Sequence, residues 1–417
     1  MAYRWIVVGL GLVCGGGCGS SAPPLDSGGS GGTESDTGDP GATLADETGD
    51  DDGDAEPGPP RPVCQLESSW HETAPMVAPQ VSPALIGWPE GGVLATGGHG
   101  DTCDSLDEVP TAAVQHYDPT TDTWSAMPEL LGPRVRHAVV DVEGVIMVLG
   151  GFDGRGSALA TTERLDPVAD AWVAGTPLPL AIEHPVALAI DARVLVIGRS
   201  VDDGYVAFRS SDGGESWQPA ASAHSFAARL LPWADTMILV GTSVGTRAKI
   251  YDWSADAWED APPDVVPHSQ WDTGASNVLN ASALIDTDQL FVLGTTGGSH
   301  PEIGQQGYAA LLEPPSKAWV GGAEGPFLGD SNFATGIGFA PGWVLVHRGS
   351  DWTWADVYSR DDDAWCGTAS NESPLRRHRG IALGDGAVLF AGGRQVDSNC
   401  ASDRAFVWTP MLETTSE

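Results

Sequence analysis

The stretch Tyr117-Asp118-Pro119-Thr120-Thr121-Asp122-Thr123-Trp124 decides the fold. A tyrosine ends one strand, Asp-Pro sets a turn because proline fixes φ and aspartate bonds its own backbone, and the tryptophan opens the next strand. The same frame recurs about every 49 residues, in copies that end at Trp172, Trp258, Trp319 and Trp365. Repeats of this length predict a propeller or a solenoid.

An apolar run that ends at or near glycine precedes each hairpin. Seven such runs occur, at 92–98, 145–151, 194–198, 237–241, 290–294, 343–346 and 387–393. Nearly continuous apolar strands are typical of sheets that are covered on both faces, as the blades of a propeller are.

The di-glycine, the tyrosine or leucine and the tryptophan, in this order, resemble the kelch repeat, which also builds the propeller of galactose oxidase. The resemblance covers roughly residues 65 to 410 and implies an all-β fold, a seven-bladed kelch-like β-propeller. It departs from the pattern in the middle blades, where we interpret the second glycine as missing.

Counting strands predicts how the ring closes. Six full blades end at Trp124, Trp172, Trp217, Trp258, Trp319 and Trp365. The seventh has its third strand near Ala405 to Trp408, and its fourth strand is missing. The segment Ser68 to Pro75 carries a tryptophan and has no blade of its own. We therefore expect it to supply the missing fourth strand, so that no sheet edge stays open.

The hairpin of blade three reads Ser210-Ser211-Asp212-Gly213-Gly214-Glu215-Ser216-Trp217. It resembles the Asp-box of sialidases and related propellers, which is a structural turn between the third and fourth strands of a blade. The resemblance therefore supports the fold and implies no chemistry.

The N-terminus predicts export. Residues 1–18 form a signal peptide, because one arginine precedes an apolar run that is too short to span a bilayer. Gly15-Gly16-Gly17-Cys18 looks like a bacterial lipoprotein site with Cys18 lipidated, and an ordinary secretory signal is the alternative. Residues 19–62 are a disordered acidic Gly/Ser/Pro tether, 63–410 the propeller and 411–417 a C-terminal tail.

Charge restricts the class of partner. The formal net charge of -37 argues against nucleic acid and against an anionic membrane surface, which both need a basic face. Membrane contact is expected only through the lipid anchor, and we expect a monomer. We predict no cofactor and no metal site, since no two of the histidines near the glycine strands show ligand spacing within one element.

Enzymatic alternatives rest on resemblance alone. A resemblance to galactose oxidase would imply a copper ion held by two tyrosines and two histidines. A resemblance to a sialidase would imply three arginines together with a tyrosine and a glutamate. Tyr117, Tyr251 and Tyr358 instead sit in the hairpin frame, where packing is expected. We predict no catalytic residue and a binding module rather than an enzyme, and a secreted carbohydrate-active enzyme of either type remains the alternative.

Basic side chains cluster before the first strand of a blade or after its glycine strand. These positions fall on one face of a four-stranded meander. One interpretation is that they offset acids on the same loops, and the other is that they form a basic channel mouth for an anionic ligand such as an acidic sugar. The candidate ligand-binding residues are Arg134, Arg136, His137, Arg155, His184, Arg199, Arg348, Arg376, Arg377, His378, Arg379 and Arg394.

Four cysteines remain in the exported domain, which suits an oxidising compartment. Cys103 and Cys400 occupy equivalent loops of the first and last blades, which are neighbours in a closed ring. We therefore expect a Cys103 to Cys400 disulfide, and Cys64 with Cys366 as the second. The protein we expect is thus a lipid-anchored propeller of the bacterial cell envelope, at the outer membrane or the surface, that binds a protein or carbohydrate ligand.

Overall fold

A computed structural model describes most of the chain. The described residues are 64–100, 103, 109–222, 229–233, 235–240, 248–261, 278–286, 289–295, 307–313, 318–325, 334–348, 355–371 and 375–411. The predicted signal peptide, Cys18 and the acidic tether lie outside them, as does the predicted tail beyond Met411. The described part of the chain contains no helix of the length and apolar character needed to cross a membrane.

The described residues form β-strands joined by turns and loops. In chain order the strands are β1 (Cys64–Gln65), β2 (Ser68–Glu72), β3 (Ala84–Gly87), β4 (Val93–Thr96), β5 (Val114–Asp118), β6 (Thr123–Met127), β7 (Ala138–Val142), β8 (Val145–Leu149), β9 (Thr162–Asp166), β10 (Ala171–Ala174), β11 (Glu183–Ile190), β12 (Arg193–Ser200), β13 (Gly204–Ser210), β14 (Gln218–Ala220), β15 (Arg229–Trp233), β16 (Thr236–Val240), β17 (Ala248–Asp252), β18 (Ala257–Asp260), β19 (Val278–Leu284), β20 (Leu290–Thr295), β21 (Gly307–Glu313), β22 (Ala318–Gly325), β23 (Ala334–Ala340), β24 (Trp343–Arg348), β25 (Ala355–Ser359), β26 (Ala364–Gly367), β27 (Leu375–Arg376), β28 (Arg379–Ala382), β29 (Val388–Ala391), β30 (Arg394–Gln395) and β31 (Ala405–Pro410).

Seven antiparallel sheets are arranged in a ring. The first six are the consecutive groups β3 to β6, β7 to β10, β11 to β14, β15 to β18, β19 to β22 and β23 to β26. Their first strands contact one another in the cyclic order β3, β7, β11, β15, β19, β23, β28 and back to β3. The predicted all-β, seven-bladed propeller is confirmed, with the first strand of every blade lining the axis.

Blade seven combines both ends of the described chain. Its strands lie in the order β28, β29, β31 and β2, so an N-terminal strand occupies the outer position. β2 runs antiparallel to β31 with Trp70 opposite Trp408. The Arg404 guanidinium donates to both carboxylate oxygens of Glu72 at 2.6 and 2.8 Å, which ties the strand to the blade.

The repeating tryptophan joins neighbouring blades. The indole N–H of Trp172 donates to the Pro128 carbonyl at 2.9 Å, and that carbonyl follows the fourth strand of the preceding blade. The corresponding donors in other blades are Trp70 to Ala369, Trp217 to Thr176 and Trp258 to Ala221, each to a carbonyl, and Trp124 to the Thr73 hydroxyl. The repeat therefore places one large apolar ring and one hydrogen bond at these seams between blades.

The hairpins repeat one local device. Asp118 accepts hydrogen bonds from the Thr120 backbone and hydroxyl, which orders the turn. Asp122 adopts a φ of 50°, and its carboxylate accepts the Tyr117 hydroxyl at 3.0 Å. The same tyrosine to aspartate bond, five residues apart, recurs at Tyr251 with 2.6 Å and at Tyr358 with 2.8 Å. These tyrosines have the packing role expected of them.

The two glycines that end the second strand have separate tasks. A Cβ on Gly97 would meet the Arg134 carbonyl and the His137 ring of the next blade, whereas one on Gly98 would meet Val81 and Pro83 of its own blade. In blade three the register pairs Glu183 with Arg199 just as Val135 pairs with Phe152 in blade two. Gly198 therefore corresponds to the second glycine, so the interpretation that blade three lacks the second glycine was wrong, because it is the first that is missing.

A disulfide joins Cys103 of blade one to Cys400 of blade seven, across 297 residues of chain. Cys366 is disulfide-bonded as well. Its backbone lies opposite Cys64 across the short parallel bridge between β1 and β26.

Candidate functional site

The site is built on one face of the ring, which we call the mouth face. It comprises the loops from the second to the third strand of each blade and from the fourth strand to the first strand of the next blade. A residue with left-handed backbone lies at the entrance to the first strand in four blades, just before the strand at Ser82, Arg136 and Arg377 and within its first residues at His184, with φ between 49° and 55°. Such a conformation is strained for residues other than glycine, and strain of this kind concentrates at functional positions.

Arg136 and His184 meet at the seam between blades two and three. Arg136 Nη1 lies 3.1 Å from His184 Nε2, and its guanidinium lies 6.0 Å from the centre of the Phe152 ring. Phe152 and His184 make an edge-to-face contact at 5.3 Å. Because arginine only donates, His184 Nε2 is the acceptor and the ring proton is on Nδ1. The group therefore holds one arginine in a fixed orientation at the mouth.

His184 stays neutral in this setting. Burial, together with the charges of Arg136 and Arg199, lowers the pKa of His184 to about 4. Arg199 is exposed and lies 3.1 Å from Glu183. Among the described residues no carboxylate lies within ion-pair distance of Arg136, so its charge is offset by no neighbour there. The arrangement can bind an anion without competing with an internal salt bridge.

Arg134 has a structural role, so its prediction as a ligand-binding residue was wrong. Its side chain is buried and pairs with the equally buried Glu163. Arg134 Nη1 also donates to the carbonyls of Gly150 and Thr161 at 3.2 and 3.3 Å. The guanidinium therefore makes its contacts inside blade two.

His137 and Arg394 are buried too, which corrects their prediction as ligand contacts. His137 Nε2 lies 2.9 Å from the Thr96 hydroxyl, and burial followed by the charge of Arg134 lowers the pKa of His137 to about 3. Arg394 Nη1 donates to the Asn399 carbonyl at 2.6 Å. Both side chains stabilise loops beneath the mouth face.

His378 is also turned inward, and its prediction as a ligand contact needs the same correction. Its Nδ1 donates to the Leu375 carbonyl at 2.8 Å, so its Nε2 must accept from His347 Nδ1 at 3.0 Å. Both ring nitrogens are therefore occupied. Arg379 is partly buried, and its Nη1 donates to the His378 carbonyl at 3.2 Å.

The remaining candidates divide by exposure. Arg155 and Arg377 are exposed on the mouth face, and Arg376 is half-buried in the two-stranded β27 and β30 pair. The side chain of Arg348 lies outside the described residues. The structure thus brings Arg136, His184 and Arg199 together, and places the others apart from them along the ring.

Sequence reasoning missed two residues of this face. Phe152, two positions after the first glycine of its pair, supplies the ring on which Arg136 and His184 pack. Arg229 begins the first strand of blade four, and its Nη1 lies 3.5 Å from the Gly336 carbonyl of blade six. Burial, together with the charge of Arg379, lowers the pKa of Arg229 to about 10. The position of Arg229 at the start of a first strand could have identified it from the sequence.

The opposite face, formed by the hairpin turns, is acidic. Exposed acids occupy its turns in most blades, among them Glu90, Glu143, Asp170, Asp191, Asp252 and Asp361. The exposed arginines named above lie on the mouth face, which also carries exposed acids at Glu129, Asp202, Asp203 and Asp397. Of the described residues, no group of three or more histidine, cysteine, aspartate or glutamate side chains is arranged to hold a metal ion.

A family model for the kelch motif matches residues 133–179, from the loop before β7 to the loop after β10. The chain is thus a seven-bladed β-propeller with a kelch motif in blade two. The chain is 28% identical to "Kelch-like protein 35" of Mus musculus over 186 residues, 43% of this chain and 32% of that protein. It is 33% identical to "Kelch repeat protein M-T8" of Myxoma virus (strain Lausanne) over 93 residues, 22% of this chain and 18% of that protein.

The likeness to these relatives is partial, because the matched segments span a third or less of their length. Among solved structures, the chain is similar to a "Novel fungal alcohol oxidase with catalytic diversity among the AA5 family, in complex with copper". The TM-score is 0.62 at 14% identity, covering 82% of this chain and 76% of the oxidase. At that identity the likeness shows the fold alone.

Proposed function

We propose that this kelch propeller is an exported, lipid-anchored, non-catalytic binding module of the cell envelope, and that its mouth face binds an anionic group of a protein or glycan. The observation that carries the proposal is Arg136, an exposed arginine held by His184 and Phe152 with no carboxylate beside it among the described residues. Charges placed this way favour recognition of carboxylates or sulfates.

A protein ligand is supported by the apolar residues around these charges. Five of the seven large apolar side chains that are exposed in the described chain lie on the mouth face of blades one to three. They are Val77, Val109, Leu131, Leu180 and Val201. Protein interfaces combine apolar contacts with arginines in this manner.

Export and anchoring rest on the N-terminal signals. The apolar run before Gly15 and the small residues before Cys18 support cleavage with lipid attached at Cys18. Mass spectrometry of the mature N-terminus tests this step. Cleavage at another position, or an unmodified Cys18, would contradict anchoring and leave the binding proposal standing.

Binding is tested with the purified soluble chain on a glycan array that pairs acidic sugars with neutral analogues, and by crosslinking to envelope proteins. The variant Arg136→Gln removes the charge and keeps much of the side-chain length. We expect it to lower affinity at least about tenfold, as loss of one charge-assisted bond does.

A matched control is Arg164→Gln, an exposed arginine that pairs with Glu215 away from the mouth face. It should bind like the parent. Equal binding by Arg136→Gln and the parent to every captured ligand would overturn the assignment of the mouth face.

A further inference from the structure

The disulfide between Cys103 and Cys400 lies where solvent thiols can reach it. Cys103 is exposed and Cys400 is half-buried, both in loops of the mouth face between second and third strands. Cys366, which is also disulfide-bonded, is only 3% exposed within blade six. The sulfur of Cys103 is therefore open to solvent whereas that of Cys366 is not, and access is the first requirement for thiol–disulfide exchange in a folded protein.

The seam that this bond crosses is complete without it. The Ser82 backbone donates to the Arg377 carbonyl at 3.1 Å, and the Gly393 backbone donates to the Gln80 carbonyl at 2.7 Å. A shared apolar core, which includes Tyr117 of blade one and Leu389 of blade seven, packs blades one and seven together. Reduction of the disulfide is therefore expected to free two loops and to leave the ring closed.

We propose that the Cys103–Cys400 bond is a native-state thiol–disulfide exchange site at the edge of the mouth face. An incoming thiolate attacks Sγ of the exposed Cys103 and forms a new S–S bond with it. The electron pair of the old bond leaves on Sγ of Cys400 as a thiolate. Arg394, whose Nη1 donates to the Asn399 carbonyl beside Cys400, places a cation near this leaving group, and cations favour thiolates.

The first step attaches the incoming thiol covalently to Cys103. If the reactant is a dithiol, its second thiolate attacks the mixed disulfide, releases the Cys103 thiolate and is itself oxidised to a disulfide. If it is a monothiol, the mixed disulfide persists until another thiol arrives. The site thus takes thiols as a chemical class, either a small monothiol or a dithiol protein, and it does not depend on the ligand-binding proposal.

The test uses the full chain in native buffer, with reduced glutathione in one arm and a thioredoxin-type dithiol protein in the other. Samples are quenched with iodoacetamide and mapped by mass spectrometry. We expect Cys103 and Cys400 to be labelled at least about tenfold faster than Cys366, with the circular dichroism spectrum unchanged, because exchange needs no unfolding. A mixed disulfide on Cys103 in the glutathione arm identifies the monothiol route.

Labelling of Cys103 and Cys400 at the same rate as Cys366 would overturn the proposal, since both bonds would then open only through unfolding. A second measurement follows Cys400→Ser, which leaves the Cys103 thiol free. This variant should form a mixed disulfide at Cys103 with oxidised glutathione in native buffer, and the double variant Cys103→Ser/Cys400→Ser should form none within residues 64–410. Failure of Cys400→Ser to react while folded would also overturn the proposal.

Discussion

Gln80 and Arg134 occupy equivalent positions, each two residues before the left-handed residue that precedes a first strand. Gln80 Nε2 donates to the carbonyls of Gly97 and Ala113, as Arg134 Nη1 does to those of Gly150 and Thr161. Their partners are equivalent as well, because Gln115 bonds Gln80 where Glu163 pairs with Arg134. Blade one thus makes with neutral amides the contacts that blade two makes with a buried ion pair.

The comparison gives a matched test. Glu163→Gln leaves the Arg134 charge buried without its carboxylate, so we expect the free energy of unfolding to fall by about 3–5 kcal/mol. The double change Arg134→Gln/Glu163→Gln copies the blade-one pair and should stay within about 1 kcal/mol of the parent. Urea denaturation measures both. If Glu163→Gln were as stable as the double variant, the charge of the buried pair would not contribute to the free energy of unfolding.

The strained hairpin aspartates allow a second test at this scale. Asp256 has a φ of 49°, and its Oδ1 accepts the Tyr251 hydroxyl and the Ala221 backbone N–H. Asp256→Ala loses both bonds and leaves alanine in a left-handed conformation, so we expect a loss of about 2–4 kcal/mol. Asp256→Asn keeps an acceptor and tolerates this backbone, and it should lose less than half as much. Equal losses in thermal unfolding would contradict this account.

For single residues, the sequence predicted the face of the propeller but not the burial of the side chain. The face on which Arg134, Arg136 and His137 lie follows from strand alternation, and it was predicted. The burial of Arg134 and His137 was not, because the partners that decide it, Glu163 and Thr96, belong to the third strand of the same blade and to the neighbouring blade. Only the folded register brings those partners near.

Strand elements were predictable to the extent that repeats mark them. The glycine strands and the tryptophan hairpins were placed within a few residues of their observed bounds, since each repeat carries the same turn chemistry. The missing glycine of blade three was misassigned, because Ile197-Gly198 has the same local pattern whichever glycine is lost. Only its pairing with β11 distinguishes the two cases.

The tryptophan seams are testable at the element scale. Trp172→Phe keeps an aromatic ring and removes the N–H that donates to the Pro128 carbonyl. We expect the free energy of unfolding to fall by about 1–3 kcal/mol, because a buried acceptor loses its donor. The control Trp88→Phe changes an indole whose N–H makes no hydrogen bond within the described residues, and it should cost less. The reverse ranking would mean that ring volume, not the hydrogen bond, holds the seam.

β2 gives a prediction about ring closure. Deleting residues 64–76 removes the strand that lies along β31 and exposes the edge of blade seven. An unpaired edge templates association, so the deleted chain should aggregate or form soluble oligomers. Light scattering after size-exclusion chromatography measures this. A truncated protein that stays monomeric and melts like the parent would show that the strand is dispensable for closure.

At the scale of the whole molecule, the stability of the propeller should depend on acid. Burial lowers the pKa of His137 to about 3, and those of His184 and His378 to about 4, from 6.5 in the unfolded chain. As pH falls below 6.5, these histidines become protonated in the unfolded chain but stay neutral in the folded protein until the pH reaches their lower folded pKa values. Their contribution is therefore fully present above pH 6.5 and is lost as pH falls toward 4.

His378 allows this to be measured for one group. Its shift from 6.5 to about 4 corresponds to a loss on the order of 3 kcal/mol between these pH values. His378→Asn cannot titrate, so its free energy of unfolding, although lower at pH 7, should fall less steeply between pH 7 and pH 4.5 than that of the parent. If His378→Asn and the parent lose stability in parallel across this range, the buried histidine pair is not what makes the ring sensitive to acid.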